Sequence, residues 1–468
     1  MGAQASPPRA AKPRLLVLTD ISNEPDDEES LVRLLVYANE FDMEGLIATT
    51  STWLRAGTRE DLIRRDIDAY GRVRDNLVQH ASGYPNAEAL LAVTASGQSR
   101  YGMAAVGEGK STPGSRLILA AADRDDPRPL WVSVWGGANT LAQALSDARR
   151  ERSPEELRRL VAKLRVYTIS DQDDAGPWLR REFPGLFYIV SPSNPDSREY
   201  HRATWTGISG DRHYRNAPWC HFELVDNPWL EKNVIRDHGP LGALYPRLAY
   251  IMEGDTPSFL GLIDNGLAWQ VSPTYGGWGG RYVLYRCYGE TRPIWTNNRD
   301  SRDTVLAADG KTYTSDQATI WRWRQAYQHD FAARMDWCVR PCARANHNPQ
   351  VVVGGVSGKD VLRLDVRPGQ EVTLRASGSS DPDGDALSFR WFDYPEAGGG
   401  RPRPAIRISG ADTEIATLSV PAVDEPTTMH VILEVKDDGA PSLFGYRRII
   451  LNVTTANDPA MGPTPVMP

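Results

Sequence analysis

RLLVLTDISNEPDDEESLVRLLVYANE, residues 14–40, decides how the chain is read. Its first six residues, Arg14 to Thr19, form a mostly apolar run of strand length that stops at Asp20. After a polar interval, Leu31, Leu34, Leu35 and Ala38 recur at helical spacing and fall on one face. Pro25 suits the first turn of that helix, and the acidic residues beside it lie where the positive end of the helix dipole favours them. A buried strand thus passes through an acidic junction into an amphipathic helix.

Further strand-like runs lie at 44–50 (EGLIATT), 130–135, 164–170 and 186–190. The stretches between them include helical patterns at 139–149 and 154–163. Alternation of this kind predicts an α/β fold, a mostly parallel sheet flanked by helices on both faces. Its active site belongs at the carboxyl ends of the strands. From about 241 to 342 the pattern turns irregular and rich in Gly, Trp and Tyr. SPTYGGWGGRYVLYRCYGETRPIWTNN (272–298) reads there as long functional loops, and a helix over about 315–337 closes the domain. ARANHNPQ (343–350) reads as a linker.

Beyond it, EVTLRAS, LSFRWFDY, ATLSVP, MHVILEVKD and YRRIILNV alternate apolar and polar positions between DPDGD and DDGAPS turns. That pattern predicts a small all-β sandwich. The organisation expected is a disordered leader at 1–13, an α/β domain at 14–345, a sandwich at 346–456 and a disordered tail at 457–468.

The 468 residues carry a net charge of −7, which argues against a broad phosphate-binding surface and so against nucleic acid. No run reaches the roughly 18–20 apolar residues of a membrane helix. The opening MGAQASPPRAAKPRLL reads as a small-residue, Pro-rich stretch left after removal of a signal peptide, so a secreted or periplasmic protein is expected. Four cysteines are too few for a disulfide scaffold. Cys338 and Cys342, with Pro341 between them, read first as a disulfide and second as part of a zinc site, for which only His347 stands nearby. Cys220 and Cys287 are left to pair or stay free.

TDISNEPDD (19–27) places Asp20, Glu24, Asp26 and Asp27 within eight positions at a strand end. Carboxylates so crowded repel one another unless a cation or substrate hydroxyls neutralise them. Their hard oxygens suit Ca2+ or Mg2+ and not zinc. The bland alternative is an acidic helix start facing solvent.

A strand ending in Asp, followed by an Asp–Asp pair opening a helix, is similar to the calcium motif of nucleoside hydrolases. Longer stretches extend the likeness: TDISNEPDDEESLVRLLVYANEFDMEGLIATTSTW, VSVWGGANTLAQAL, YTISDQDDAGPW, RDHGPLGALYP, EGDTPSFLGLI and YGGWGGRY. They resemble the bacterial cellulose-binding proteins that join a nucleoside-hydrolase-like domain to a C-terminal immunoglobulin-like domain. The resemblance covers nearly the whole chain. It implies a bound Ca2+, with Asp20 as ligand and general base, Asp27 as ligand, and Asp26 as the catalytic-centre contact to a substrate hydroxyl. It also implies a loop carbonyl, from Trp135 or Gly136, and Asp255 as further ligands.

Two departures bear on the substrate. Five residues separate Asp20 from the pair where nucleoside hydrolases have three, and this brings Glu24 in as a substrate or ligand candidate. The family's Asn after the second strand is replaced by Thr52 and Trp53, and Trp53 is a candidate substrate contact; Asn139, in VWGGANT, is another.

Other candidates stand beside their plainer readings. Asp173 and Asp174, with Asp171 in SDQDD, either line the cleft or form a solvated turn. His238 is a candidate leaving-group acid or a bracing histidine. Trp278, with Tyr275 and Trp295, offers a stacking surface for a sugar or simply core. GEGKST (107–112) lacks the first glycine of a phosphate loop, and no HExxH or GxSxG is present.

The function expected is a calcium-dependent glycoside hydrolase cleaving a furanosyl-type or related bond in a plant or cell-wall glycan. The alternatives are a non-catalytic cellulose- or polysaccharide-binding protein on the same fold and an exported nucleoside hydrolase. The partner expected is a glycan, with no nucleic acid and no membrane; a homo-oligomer is compatible with the sequence.

Overall fold

The computed structural model describes residues 11–22, 24–191, 202–210, 221–287, 289–297, 299–307, 309–398 and 403–455. The expected tail, and the leader apart from residues 11–13, lie outside them.

The order along the first half is β1 (Arg14–Thr19), α1 (Pro25–Val36), β2 (Asp42–Ala48), α2 (Glu60–His80), α3 (Ala87–Ala92), β3 (Thr94–Ser96) and α4 (Pro113–Asp123). It continues with β4 (Leu130–Val134), α5 (Asn139–Glu151), α6 (Pro154–Lys163), β5 (Leu164–Thr168), α7 (Ala175–Glu182) and β6 (Phe187–Val190). These strands join β7 (Val283–Tyr285) and β8 (Ile294–Thr296) in one sheet of order β3-β2-β1-β4-β5-β6-β8-β7. Every pairing is parallel except β7 with β8 at the edge.

β1 shows why both faces must be covered. Side chains alternate along a strand, and here Leu15 and Val17 enter the cluster of Leu31, Leu34, Ile63 and Tyr70 from α1 and α2. Leu16 and Leu18 enter the opposite cluster with Ile118, Leu141, Val161 and Leu179 from α4 to α7. β1 therefore lies in the middle, with β2 on one side and β4 on the other. The chain changes direction across the sheet at this point, and in open α/β sheets that is where ligands bind, beyond the carboxyl end of the strand.

The helix expected over 315–337 is two helices, Ala318–Trp321 and Arg324–Trp337. The break falls beside Arg322, whose guanidinium pairs with Asp303 at 2.8 Å and lies 4.3 Å over the Tyr394 ring. Between β8 and these helices sits a hairpin, β9 (Asp303–Leu306) with β10 (Thr312–Ser315).

The C-terminal region is all β. A short hairpin, β11 (Val352–Val353) with β12 (Val356–Ser357), leads into β13 (Leu362–Val366), β14 (Glu371–Arg375), β15 (Leu387–Asp393) and β16 (Arg407–Ser409). β17 (Ile415–Ser419), β18 (Thr427–Asp437) and β19 (Phe444–Val453) follow. Sheets β13-β19-β18-β15 and β14-β17-β16 share one apolar core that includes Val366, Leu374, Trp391, Leu418, Val431 and Ile449.

Of the glycine-rich stretch read as functional loops, Tyr275 and Gly276 lie at the seam with this sandwich, and residues 283–285 and 294–296 are the edge strands β7 and β8. Buried Arg448 donates to the carbonyls of Leu267 (2.7 Å), Tyr275 and Gly276 (both 3.0 Å). Gly276, at φ +73°, lies so close to the Tyr394 hydroxyl that a Cβ would collide with it. The cysteines also correct the reading: Cys287, Cys338 and Cys342 are free. Cys338 is buried and its thiol points at the Arg334 carbonyl, 3.5 Å away, while Cys342 is exposed. Cys220 lies outside the described residues.

Candidate functional site

β1 ends just before Asp20, and a strained turn follows, with Ser22 at φ 116°. Glu24 is extended (φ −119°, ψ 151°) as the N-cap of α1, and Pro25 starts the helix. The helix start presents Asp26 and Asp27 toward the same space as Asp20. The Thr19 hydroxyl donates to Asp27 Oδ1 and accepts the Ile21 N–H at 3.1 Å, which locks the turn to the strand end. The Ser51 hydroxyl donates to Asp20 Oδ2 and accepts the Trp53 N–H at 3.0 Å. That chain of bonds seats Trp53, 51% exposed, on the rim beside Asp20.

Asp255 reaches the cluster from a distant loop, held by the other end of the same helix face. Glu253, at φ +55°, donates its N–H to Glu29 Oε2 at 2.8 Å. Its carboxylate pairs with fully buried Arg33, with Nη2 to Oε1 at 3.0 Å. Thr256 Oγ1 donates to Glu253 Oε2 at 2.8 Å. Two glycines permit the close approach. A Cβ on Gly136 would collide with Asp20, and one on Gly254 would come within 2.8 Å of Asp26 Oδ2.

Asp26, Asp27 and Asp255 each offer a carboxylate oxygen, and these oxygens lie within 4.8 Å of one another. Asp26 Oδ1 and Asp255 Oδ2 are buried without a hydrogen-bond partner. Burial, then Glu24 and Asp20, pushes the Asp26 carboxyl up to about 8. Burial raises Asp20 to about 6 against the opposing Ser51 hydrogen bond. Asp27 and Asp255 rise well above the carboxylate range, through burial and then through their acidic neighbours. Glu24 rises through burial and the Asp20 charge. Arg33 on the same helix is taken up by Glu253. Orphaned carboxylate oxygens facing one another are what a hard divalent cation satisfies, so the donor set fits such an ion.

The remaining candidates are distributed differently. The Trp135 carbonyl accepts Gln172 Nε2 at 2.6 Å. Its indole N–H donates to Ser133 (2.9 Å) and Ser258 (3.0 Å), and Ser258 donates to the Asp255 carbonyl at 2.6 Å. Trp135 thus ties β4 to the loop that carries Asp255.

Asn139 is buried, and its amide donates to the Arg100 carbonyl (2.8 Å) and to Thr50 Oγ1 (3.2 Å). Asp173, raised to about 7 by burial, accepts the N–H groups of Asn139 (3.1 Å) and Ala175 (2.9 Å). Asp174 accepts the Met103 N–H at 2.7 Å. These three brace the start of α5, the start of α7 and the 100–103 loop.

His238 does not join the cluster. Its Nε2 lies 3.2 Å from Asp336 Oδ1, and the next residue, Gly239, sits against Val73 and Val339. That contact, in a buried ring, is what the bracing reading of this histidine expects. Trp278 is 2% exposed and edge-on to Tyr327, Tyr275 accepts from Arg363 at the seam, and Trp295 packs on Phe187. The stacking surface drawn from these three is therefore core and seam.

Sequence reasoning missed Ser51, Arg33 and Glu253. Arg33 had a signal: a lone cation inside the apolar run LVRLLV has to meet a buried anion.

Residues 14–282 match the family described as cellulose-binding Sde182, nucleoside hydrolase-like domain. Residues 371–453 match the one described as cellulose-binding protein Sde0182, C-terminal domain. Among solved structures, a nucleoside hydrolase-related hypothetical protein from Saccharophagus degradans, associated with carbohydrate metabolism, is 36% identical with a TM-score of 0.80. That likeness covers 95% of this chain and 100% of the other. The type III effector XopQ, complexed with adenosine diphosphate ribose, is 13% identical over 71% of this chain and 96% of its own, with a TM-score of 0.32. No curated protein matches the chain.

Proposed function

The chain belongs to the cellulose-binding Sde182 family, and from that premise we propose that it is a calcium-dependent glycoside hydrolase acting on a plant or cell-wall polysaccharide outside the cytoplasm. The observation that carries this reading is the buried set Asp26, Asp27 and Asp255, with orphaned oxygens, beside Asp20 at the carboxyl end of the central strand.

Asp26, Asp27 and Asp255 would hold the ion. When bound, Ca2+ supplies Lewis acidity and neutralises the carboxylates that otherwise repel one another. Asp20, fixed by Ser51 and lifted to about 6, is the base that takes a proton from the attacking water. Trp53 on the rim offers a flat apolar face to a sugar ring. The bond to the anomeric carbon of a furanosyl-type or related unit breaks as water adds from the opposite side, which inverts the configuration; the bonding electrons leave with the departing oxygen, which takes its proton from solvent.

A second reading, polysaccharide binding without turnover, draws on two observations. The family is described as cellulose-binding, and the Trp135 carbonyl is engaged by Gln172.

The test is release of sugar from polysaccharides, furanosides, pyranosides and free nucleosides by the wild type and by Asp20→Asn. Release by the wild type, slowed about 10²–10⁴-fold in Asp20→Asn, is the expected result. Retained polysaccharide binding with no release from any substrate would move the protein to the second reading. Comparable release from inosine or uridine would make it a nucleoside hydrolase.

A further inference from the structure

A second group of metal-ligating side chains lies at the junction of the two domains. His80 is the last residue of α2; Cys342 and His347 belong to the connector that follows the helix Arg324–Trp337. Asp383, from the DPDGD turn of the sandwich, reaches back to the same point. Trp337 organises the rings: His80 stacks on it at 5.2 Å and 4°, and His347 at 5.1 Å and 27°.

The outer nitrogens fix the tautomers. His80 Nε2 lies 2.8 Å from the Arg340 carbonyl oxygen, which only accepts, so Nε2 carries the hydrogen and Nδ1 the lone pair. His347 Nδ1 lies 3.0 and 3.1 Å from the two oxygens of Asp383, so the lone pair of this ring is on Nε2. With both rings neutral, His80 Nδ1 and His347 Nε2 face each other across 3.0 Å as two lone pairs. Cys342 Sγ stands 3.7 Å from His347 Nε2, and the three ligand atoms all lie within 4.8 Å of one another.

The spacing suits one kind of ion. Tetrahedral zinc, with bonds of about 2.05 Å to nitrogen and about 2.3 Å to sulfur, sets its ligands about 3.3 Å (N to N) and about 3.6 Å (N to S) apart. The observed separations are 3.0 and 3.7 Å. Imidazole and thiolate are donors that Ca2+ and Mg2+ refuse. The pairing of His347 with Asp383 is the carboxylate–histidine arrangement that orients a metal-bound ring.

We propose that His80, Cys342 and His347 bind a divalent ion of the zinc class that clamps the connector and the sandwich turn to α2. On binding, the Cys342 thiol loses its proton to solvent and a sulfur–metal bond forms. The exposed side of Cys342 leaves a fourth position for water. The clamp is independent of the hydrolytic reading, since it shares no residue with the acidic cluster.

Co2+ is the probe, added to the full-length, metal-free protein. The expected result is a single Co2+ showing a thiolate-to-cobalt charge-transfer band in the wild type and equally in Asp27→Asn. The band is absent in Cys342→Ser, and the titration weakens about tenfold in Asp383→Asn. Cys342 is exposed, so Cys342→Ser melts like the wild type without metal, and in excess Ca2+ to fill the acidic cluster only the wild type gains stability on adding Co2+. No band in the wild type would overturn the proposal, and would mean that the two histidines share a proton instead. An equal band in Cys342→Ser would overturn it too.

Discussion

The acidic cluster at the head of β1 and the His80–Cys342–His347 cluster at the domain junction differ in both material and assembly. The first uses oxygen donors, and two of its three carboxylates are consecutive in sequence, so a single motif announces it. The second uses nitrogen and sulfur, and its histidines are joined only because α2 and the connector meet on Trp337. Hard and borderline donors select different ions, so one chain can hold two metals without competition. The two clusters also differ in what removing a cation leaves behind. Buried carboxylates are left repelling one another, whereas the imidazoles are left with a single unfavourable contact.

The largest effect on stability is expected at the support of the acidic cluster. Arg33→Met leaves the buried Glu253 charge unpaired and should cost about 3–5 kcal/mol, read by urea unfolding. The same variant should bind Ca2+ more weakly and Co2+ as the wild type does. Loss of both would join the two clusters into one unit.

A smaller effect is expected from pH in chelated protein. Asp20 and Asp26 stand at about 6 and about 8, above the ordinary value of 3.8. The folded state then binds protons more tightly than the unfolded chain. Their contribution to stability is full below about pH 4 and is lost as pH rises through about 6 to 8. The melting temperature of the chelated protein should therefore fall across that window, and Ca2+ should flatten the slope. An unchanged slope with Ca2+ would remove the cluster as its site.

The smallest effect belongs to the rim. Trp53→Ala should raise KM by up to about tenfold with kcat unchanged, since stacking contributes about 0.5–1.5 kcal/mol. A fall in kcat instead would place the indole in the transition state.

Legibility followed locality. The strand, the junction and the helix in residues 14–40 are set by neighbouring residues, and the α/β sheet with its sandwich was readable from such runs. The helix expected over 315–337 was misread because Arg322 is drawn to Asp303 and Tyr394, partners far away in sequence. Asn139, Asp173, His238 and Trp278 have side chains suited to a site, yet each is bound to a partner or packed in the core. Composition cannot tell a bracing polar group from a catalytic one; the partner decides it. His80 lay outside any local motif, which is why the Cys342 region read as a disulfide or a zinc site short of ligands.

The central claim, that the acidic cluster is a calcium-dependent hydrolytic centre, is tested most directly by following sugar release by one sample in three states. These are with Ca2+, after EDTA, and after Ca2+ is restored. Release that stops with EDTA and returns with Ca2+ is the result predicted. Release that continues unchanged after complete chelation would contradict it.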